Sequence, residues 1–157
     1  MSISNTIVIA RESPLGADLA LLHRRHTQDM HAETPPESIH MLDAGQLADP
    51  DIAFFVLRED GHPVGMGAVK RLDAGHGEIK SMHILTEARG RGYARRIVEH
   101  LLAHARAEGM GRLSLETGSE PIFEPARQLY LRAGFQECGP FAGYVEDPNS
   151  VFMTRAL

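Results

Sequence analysis

The chain has 157 residues, 43% hydrophobic and 24% charged, with a formal net charge of −5 and a pI near 6.0. That is an ordinary globular composition, long enough for one domain over residues 1–157, and its acidity argues against general nucleic-acid binding. No apolar run approaches the roughly 18–20 residues of a membrane span, and a single cysteine, Cys138, excludes an intramolecular disulfide. The first six residues lack the basic and apolar regions of a signal peptide, so a cytoplasmic protein is expected.

In chain order, residues 6–10 read as a short strand. Ser13-Pro14 reads as an N-cap with proline at the first helical position, and Leu15, Leu19, Leu22 and His26 continue at helical spacing. The less regular stretch 29–50 holds Pro35-Pro36 and a short helix predicted over 37–42. Residues 52–57 and 63–72 are predicted strands around the turn Glu59-Asp60-Gly61-His62, and Asp73-Ala-Gly-His-Gly77 turns the chain into a strand from Glu78 to Ile84. A helix then opens at Gly92 and stops at Gly109, with Ala94, Ile97, Val98, Leu101, Leu102 and Ala105 on one stripe. A strand over 112–117, a helix from Pro125 and short strands near 135–138 and 151–155 complete a mixed α/β domain around one central sheet.

The junction between the Glu78 strand and the Gly92 helix carries Arg89, Gly90, Arg91 and Gly92. A glycine-rich turn into a helix aims several backbone N–H groups at one point, where the helix dipole adds partial positive charge. Basic residues at a helix N-terminus oppose that dipole, and Arg89, Arg91, Arg95 and Arg96 lie within eight positions; a bound anion, a diphosphate in particular, removes the conflict. A dinucleotide fingerprint would need glycine where Arg95 stands, and the Walker sequence is absent. No metal is expected: His100/His104 and His23/His26 have helical spacing, but no HExxH pattern or cysteine cluster accompanies them, and the first pair falls off the apolar stripe toward solvent. Cys138 has no local activating histidine and reads as a packing residue.

Arg89-Gly-Arg-Gly92-Tyr-Ala94, followed by Ala126-Arg-Gln-Leu-Tyr130-Leu-Arg-Ala-Gly134-Phe135, resembles the two signatures of the GCN5-related N-acetyltransferase (GNAT) superfamily, on the right elements and in the right order. The resemblance covers nearly the whole chain. It implies a mostly antiparallel, twisted central sheet with about four helices, in which the fourth and fifth strands splay into a V-shaped cleft. It also implies acetyl-CoA as co-substrate, with Arg89, Gly90, Arg91, Gly92, Tyr93 and Ala94 holding the pyrophosphate and Met82, His83 and Ile84 pairing with the pantetheine arm. Phe123 stands where many members place an asparagine that contacts the cofactor or the helix start.

Amide formation from a thioester needs an unprotonated amine, an oxyanion donor and a proton for the departing thiolate. Free alkyl amines have a pKa near ~10.4 and so need a base. By resemblance to histone-acetyltransferase-type members, Glu78 is the candidate base; Glu116, at the carboxyl end of the next strand, is the rival. Tyr130 by the same resemblance protonates the thiolate while touching the cofactor sulfur, and a backbone N–H of the 82–84 strand meets the oxyanion. The implied function is acetyl transfer to a primary amine, of a small molecule first, in a ternary complex without an acyl-enzyme.

Two rival readings accompany it: an acyl-CoA sensor without turnover, and an acyltransferase for a longer acyl chain or for a protein N-terminus or lysine. A homodimer is one state the family allows. For the acceptor side, residues 26–42 and 140–148 are the walls the resemblance implies, with Glu33, Glu37, Asp43 and Asp147 as candidate ammonium partners and Tyr144 as a cap. Thr34-Pro-Pro-Glu-Ser38, Leu115-Glu-Thr-Gly118 and Asp147-Pro-Asn-Ser-Val-Phe-Met153 resemble a bacterial subgroup of uncertain substrate. Some of its members are labelled as acting on indole-acetic acid, which has no free alkyl amine.

Overall fold

A computed structural model describes residues 6–157; the first five residues, on which the expectation about a signal peptide rests, lie outside the described residues. The strands are β1 (Ile7–Arg11), β2 (Ile52–Glu59), β3 (His62–Asp73), β4 (His76–Ile84), β5 (Arg112–Gly118), β6 (Gln136–Cys138) and β7 (Ser150–Ala156). The helices are α1 (Ala20–Glu33), α2 (Ala44–Leu47), α3 (Tyr93–Ala107) and α4 (Glu124–Arg132). One seven-stranded sheet has the order β1-β2-β3-β4-β5-β7-β6, antiparallel except for the parallel pair β4–β5.

That parallel pair is short. His76, Gly77 and Glu78 face Arg112, Leu113 and Ser114, and beyond Glu78 the two strands part. A bulge on β4 bends it at that point: Met66 pairs with His83 and Ala68 with Lys80, so Ser81 and Met82 oppose Gly67 alone. Ser81 takes a φ of 57°, a left-handed conformation rare for a side-chain-bearing residue. Gly67 makes room for the bulge, because a Cβ there would sit 2.7 Å from Met82 Sδ and 2.8 Å from Ile97 Cγ2.

The α3 stripe is buried as the spacing predicts. Ile97, Val98, Leu101 and Ala105 are fully buried and Leu102 nearly so, with Ile97 and Leu101 over Gly65 and Gly67 of β3. Gly109, at φ 78°, supplies the left-handed residue that ends the helix. At the β2–β3 turn, Asp60 and Gly61 both take positive φ, the mark of a primed hairpin turn.

Three local expectations shift. Ser13 Oγ accepts the Leu15 N–H at 3.2 Å, closing a local turn instead of capping a helix; a 3₁₀ turn follows over Ala17–Leu19 and α1 begins at Ala20. Leu15 is therefore exposed while Leu19, Leu22 and His26 are buried. The helix predicted over 37–42 is instead a 3₁₀ turn at Pro36–Ser38 followed by α2, which Asp43 and Gln46 open with a reciprocal capping box. His100 and His104 are half-buried, edge-on to Phe55 at 4.8 and 5.1 Å, instead of facing solvent.

Under α1, His26 (8% exposed) and His83 (7% exposed) meet edge-to-face at 5.4 Å. Burial, as the largest cause for each, brings both imidazoles down to about 4. Neutral rings belong to the native state while the unfolded chain protonates near 6.5. Stability is thus complete above ~6.5 and falls as the pH drops toward ~4, by on the order of 2 kcal/mol per imidazole at pH ~5. Urea unfolding at neutral pH and at that acid pH should show the loss, and His26→Leu should remove part of the slope; a flat profile contradicts it. By the same method Leu101→Ala, which empties a fully enclosed site, should cost about 2–5 kcal/mol.

Candidate active site

The gap between β4 and β5 leads to the N-terminus of α3. Gly90 and Gly92 have φ of 80° and 79°, a Cβ on either would meet no atom within 4 Å, and Gly92 is the residue before the helix. The loop is therefore glycine-rich for its left-handed turns and lies open toward incoming ligand. Among the described residues the first N–H of α3 with a backbone acceptor is that of Arg96, bonded to the Gly92 carbonyl at 3.2 Å. The N–H groups of residues 90–95 have no backbone acceptor among the described residues. Uncapped donors at a helix N-terminus suit a phosphate.

Three of the four arginines have partners within the protein. Arg89 donates Nε to the Ile84 carbonyl at 2.9 Å and Nη2 to Asp29 at 3.1 Å, bracing the loop on β4 and α1. Arg91 grips Glu59 with two contacts of 2.9 and 3.0 Å, and the Tyr93 hydroxyl donates to the same carboxylate. Arg95 pairs with Glu99 one turn along α3. Arg96 has no carboxylate partner among the described residues. Positive charge at the loop is thus largely neutralised within the protein, and the backbone donors with Arg96 remain.

Strand alternation and register put Glu78, Lys80 and His83 of β4 and Ser114 and Glu116 of β5 on the α1 side of the sheet. Glu78 is 3% exposed; its Oε2 accepts the Tyr144 hydroxyl at 2.5 Å and Lys80 Nζ at 3.2 Å. Burial first, then the charge and hydrogen bond of Glu78, push the Tyr144 phenol well above its usual range, so it stays protonated. Glu116 carries no salt bridge among the described residues. Burial lifts its carboxyl to about 7, against opposing effects of the nearby Ser150 hydroxyl and the Lys80 ammonium, and Glu78 and Asp147 lift it further.

Two segments roof this face. Ser38 Oγ donates to Asp147 Oδ2 at 2.6 Å and accepts from Asn149 at 3.3 Å, tying residues 34–43 to residues 139–149. His40 packs edge-on to Tyr144 at 5.0 Å, and Tyr144 in turn packs on Phe141 and Phe152. Beside this roof a cavity of about 270 Å³ is lined by His23, His26, Met41, Leu42 and Asp43. Of the acidic residues expected near an ammonium, Asp43 is spent on the α2 cap, Glu33 and Glu37 are exposed, and Asp147 stands near Glu116.

Tyr130 is 5% exposed, with its ring 5.8 Å from Phe135, and burial pushes its phenol up, keeping the proton on oxygen. No hydrogen bond or ring contact links it to Glu78 or Glu116 among the described residues. Phe123 lies against the Gly118 backbone and leaves no room for a side chain there. Cys138 is half-buried and its thiol is raised by burial, in keeping with a packing role. Among the described residues no group of three His, Cys, Asp or Glu side chains could hold a metal ion, and no helix is long and apolar enough to cross a membrane. Lys80 and the Ser38–Asp147 tie were missed by sequence reasoning; the i, i+2 spacing of Glu78 and Lys80 could have flagged the first.

The family model for the acetyltransferase (GNAT) family matches residues 19–135. The uncharacterized N-acetyltransferase YsnE of Bacillus subtilis (strain 168) is 47% identical over 142 residues, covering 90% of this chain and 94% of that protein. A protein of Azospirillum brasilense named IAA acetyltransferase is 42% identical over 156 residues, covering 96% and 98%. In fold the chain matches the PaiA N-acetyltransferase of Thermoplasma acidophilum, solved in complex with coenzyme A, at a TM-score of 0.77 and 14% identity, covering 97% and 99%. With the family model spanning most of its length and close relatives aligned almost end to end, the chain belongs to the GNAT family of acetyltransferases and is an acyltransferase.

Proposed function

We propose that this enzyme transfers the acetyl group of acetyl-CoA to a primary amine of a small molecule, directly and within a ternary complex. One juxtaposition carries the reading: a strand edge left unpaired beyond Glu78 runs to an uncapped helix N-terminus, while two glutamates lie on the adjoining face. The N–H groups of residues 90–95 with Arg96 would hold the pyrophosphate, and the gap-facing edge of Met82, His83 and Ile84, where Arg89 takes the Ile84 carbonyl, suits the amide-bearing pantetheine arm by strand addition. Bound there, acetyl-CoA supplies the activated acyl group.

The chain's own residues handle the protons. Glu78 is held by Tyr144 and Lys80, whereas Glu116 has no ion pair among the described residues and a carboxyl at about 7. Glu116 is therefore the better proton acceptor for the amine, directly or through one water, with Glu78 holding the ammonium form as it arrives. Tyr130, kept protonated by burial, donates its proton to the departing thiolate. A backbone N–H beside the Ser81 bulge is the donor for the carbonyl oxygen.

The acidity of the site favours an amine. A carboxylic acid such as indole-acetic acid would bring its carboxylate beside Glu78, Glu116 and Asp147, against like charge. The stitched roof favours a small acceptor over a protein segment.

Thiol release should appear for alkyl- or arylalkylamines in a panel and not for indole-acetic acid; absence of any stabilisation by acetyl-CoA or CoA in thermal shift would overturn the reading. A base must be deprotonated to act, so kcat/KM should rise with pH and level off above ~7. Glu116→Gln should remove that limb and lower kcat/KM by about 10²–10⁴-fold. Tyr130→Phe should lower kcat at least about tenfold and leave acetyl-CoA affinity, read by calorimetry, unchanged.

A further inference from the structure

Lys80 stands two residues after Glu78 on β4, so alternation turns both side chains the same way, and only 10% of its side chain is exposed. Its Nζ has three acceptors: the His40 carbonyl at 2.9 Å, the Tyr144 hydroxyl at 3.0 Å and Glu78 Oε2 at 3.2 Å. An ammonium carries three protons, so this set is complete. The acceptors come from three places in the chain: the roof segment 34–43, the roof loop 139–149 and β4 itself. The Ser38–Asp147 bond then joins the two roof segments to each other.

Glu116 is surrounded by identifiable charges. Glu78 and Lys80 face it from β4, Asp147 and Tyr144 from the 139–149 loop, and the Ser150 hydroxyl from β7. His40 stands behind, beside Tyr144 and Asp147. Lys80 thus pairs with Glu78 and offsets the charge of Glu116, while Asp147 adds a further like charge beside Glu116.

We propose that Lys80 is a positioning residue of the acceptor site, whose saturated ammonium fixes Glu78 and Tyr144, fastens both roof segments to β4 and supplies the permanent positive charge facing Glu116. Because all three of its protons are used, Lys80 neither recognises a substrate carboxylate nor acts as a nucleophile. This rests on Glu116 as the proton acceptor. Two opposite consequences follow from the charges. Removing Lys80 leaves Glu116 among carboxylates and raises its titration midpoint. Neutralising Glu78 removes a like charge and leaves Glu116 as the carboxylate facing Lys80, which lowers the midpoint.

The test needs no acceptor. Carbon-13 NMR of the side-chain carboxyls should show one glutamate titrating near pH ~7 in the wild type and missing in Glu116→Gln. In Lys80→Met that resonance should move up by at least about half a unit, in Glu78→Gln it should move down, and in Lys80→Arg, which keeps the charge, it should stay near the wild-type position. Persistence of the resonance in Glu116→Gln would sink the reading of Glu116 and the proposal with it. If the resonance is lost in Glu116→Gln but unmoved in Lys80→Met, with only stability reduced, Lys80 is merely structural and the proposal alone fails. Should Lys80→Met not fold, the near-isosteric Glu78→Gln decides: an unmoved midpoint there overturns the proposal.

Discussion

The rest of the structure depends on the parting of β4 from β5. Two parallel strands that share only three residue pairs leave the backbone groups facing the gap beyond them without a partner strand. Unpaired backbone donors and acceptors are costly to bury, so such an edge must meet water or a ligand. The parting rests on a local conflict in packing. Ser81 in a left-handed conformation adds an extra residue to β4, and Gly67 opposite yields its side-chain space to Met82 and Ile97. The strain of one residue is offset by a well-filled α3 interface, and the bend it produces opens the sheet.

Everything chemical is arranged around that opening. On one side the chain runs from β4 into a loop whose glycines permit positive φ and whose N–H groups have no backbone acceptor among the described residues. On the α1 side lie three carboxylates and one lysine, enclosed by two segments that the sequence separates by about a hundred residues. Opposite electrostatic characters thus flank one gap: donors and partial positive charge for an anion, and negative charge for a cation. Such an arrangement suits a reaction that brings an anionic acyl carrier to a protonated amine.

Repetitive elements were legible in the residues because their periodicity is local. The α3 stripe, the Asp60-Gly61 hairpin and the stop at Gly109 each follow from spacing or from a glycine's conformational freedom. The misread pieces have no period. Ser13-Pro14 has the form of a helix cap, yet the Ser13 hydroxyl bonds two residues on and the helix starts later. The Asp43–Gln46 capping box was readable but lay just past a proline-rich stretch that drew the helix too early. His100 and His104 were placed by helical projection alone, which does not know that Phe55 of β2 will come to cover them.

The glycine–arginine signature and the Tyr130 helix were sufficient, by themselves, to specify the family, and they made Glu78 and Glu116 candidates without deciding between them. Each signature is a short continuous run, so local spacing alone carries the family. Which carboxylate is tied up and which is available was decided only by tertiary structure. Lys80, Tyr144 and the His40 carbonyl converge from segments up to 104 positions apart, and burial then sets Glu116 apart from Glu78. Charge and desolvation act through space, so the proton chemistry of the site was fixed by folding and not by any motif.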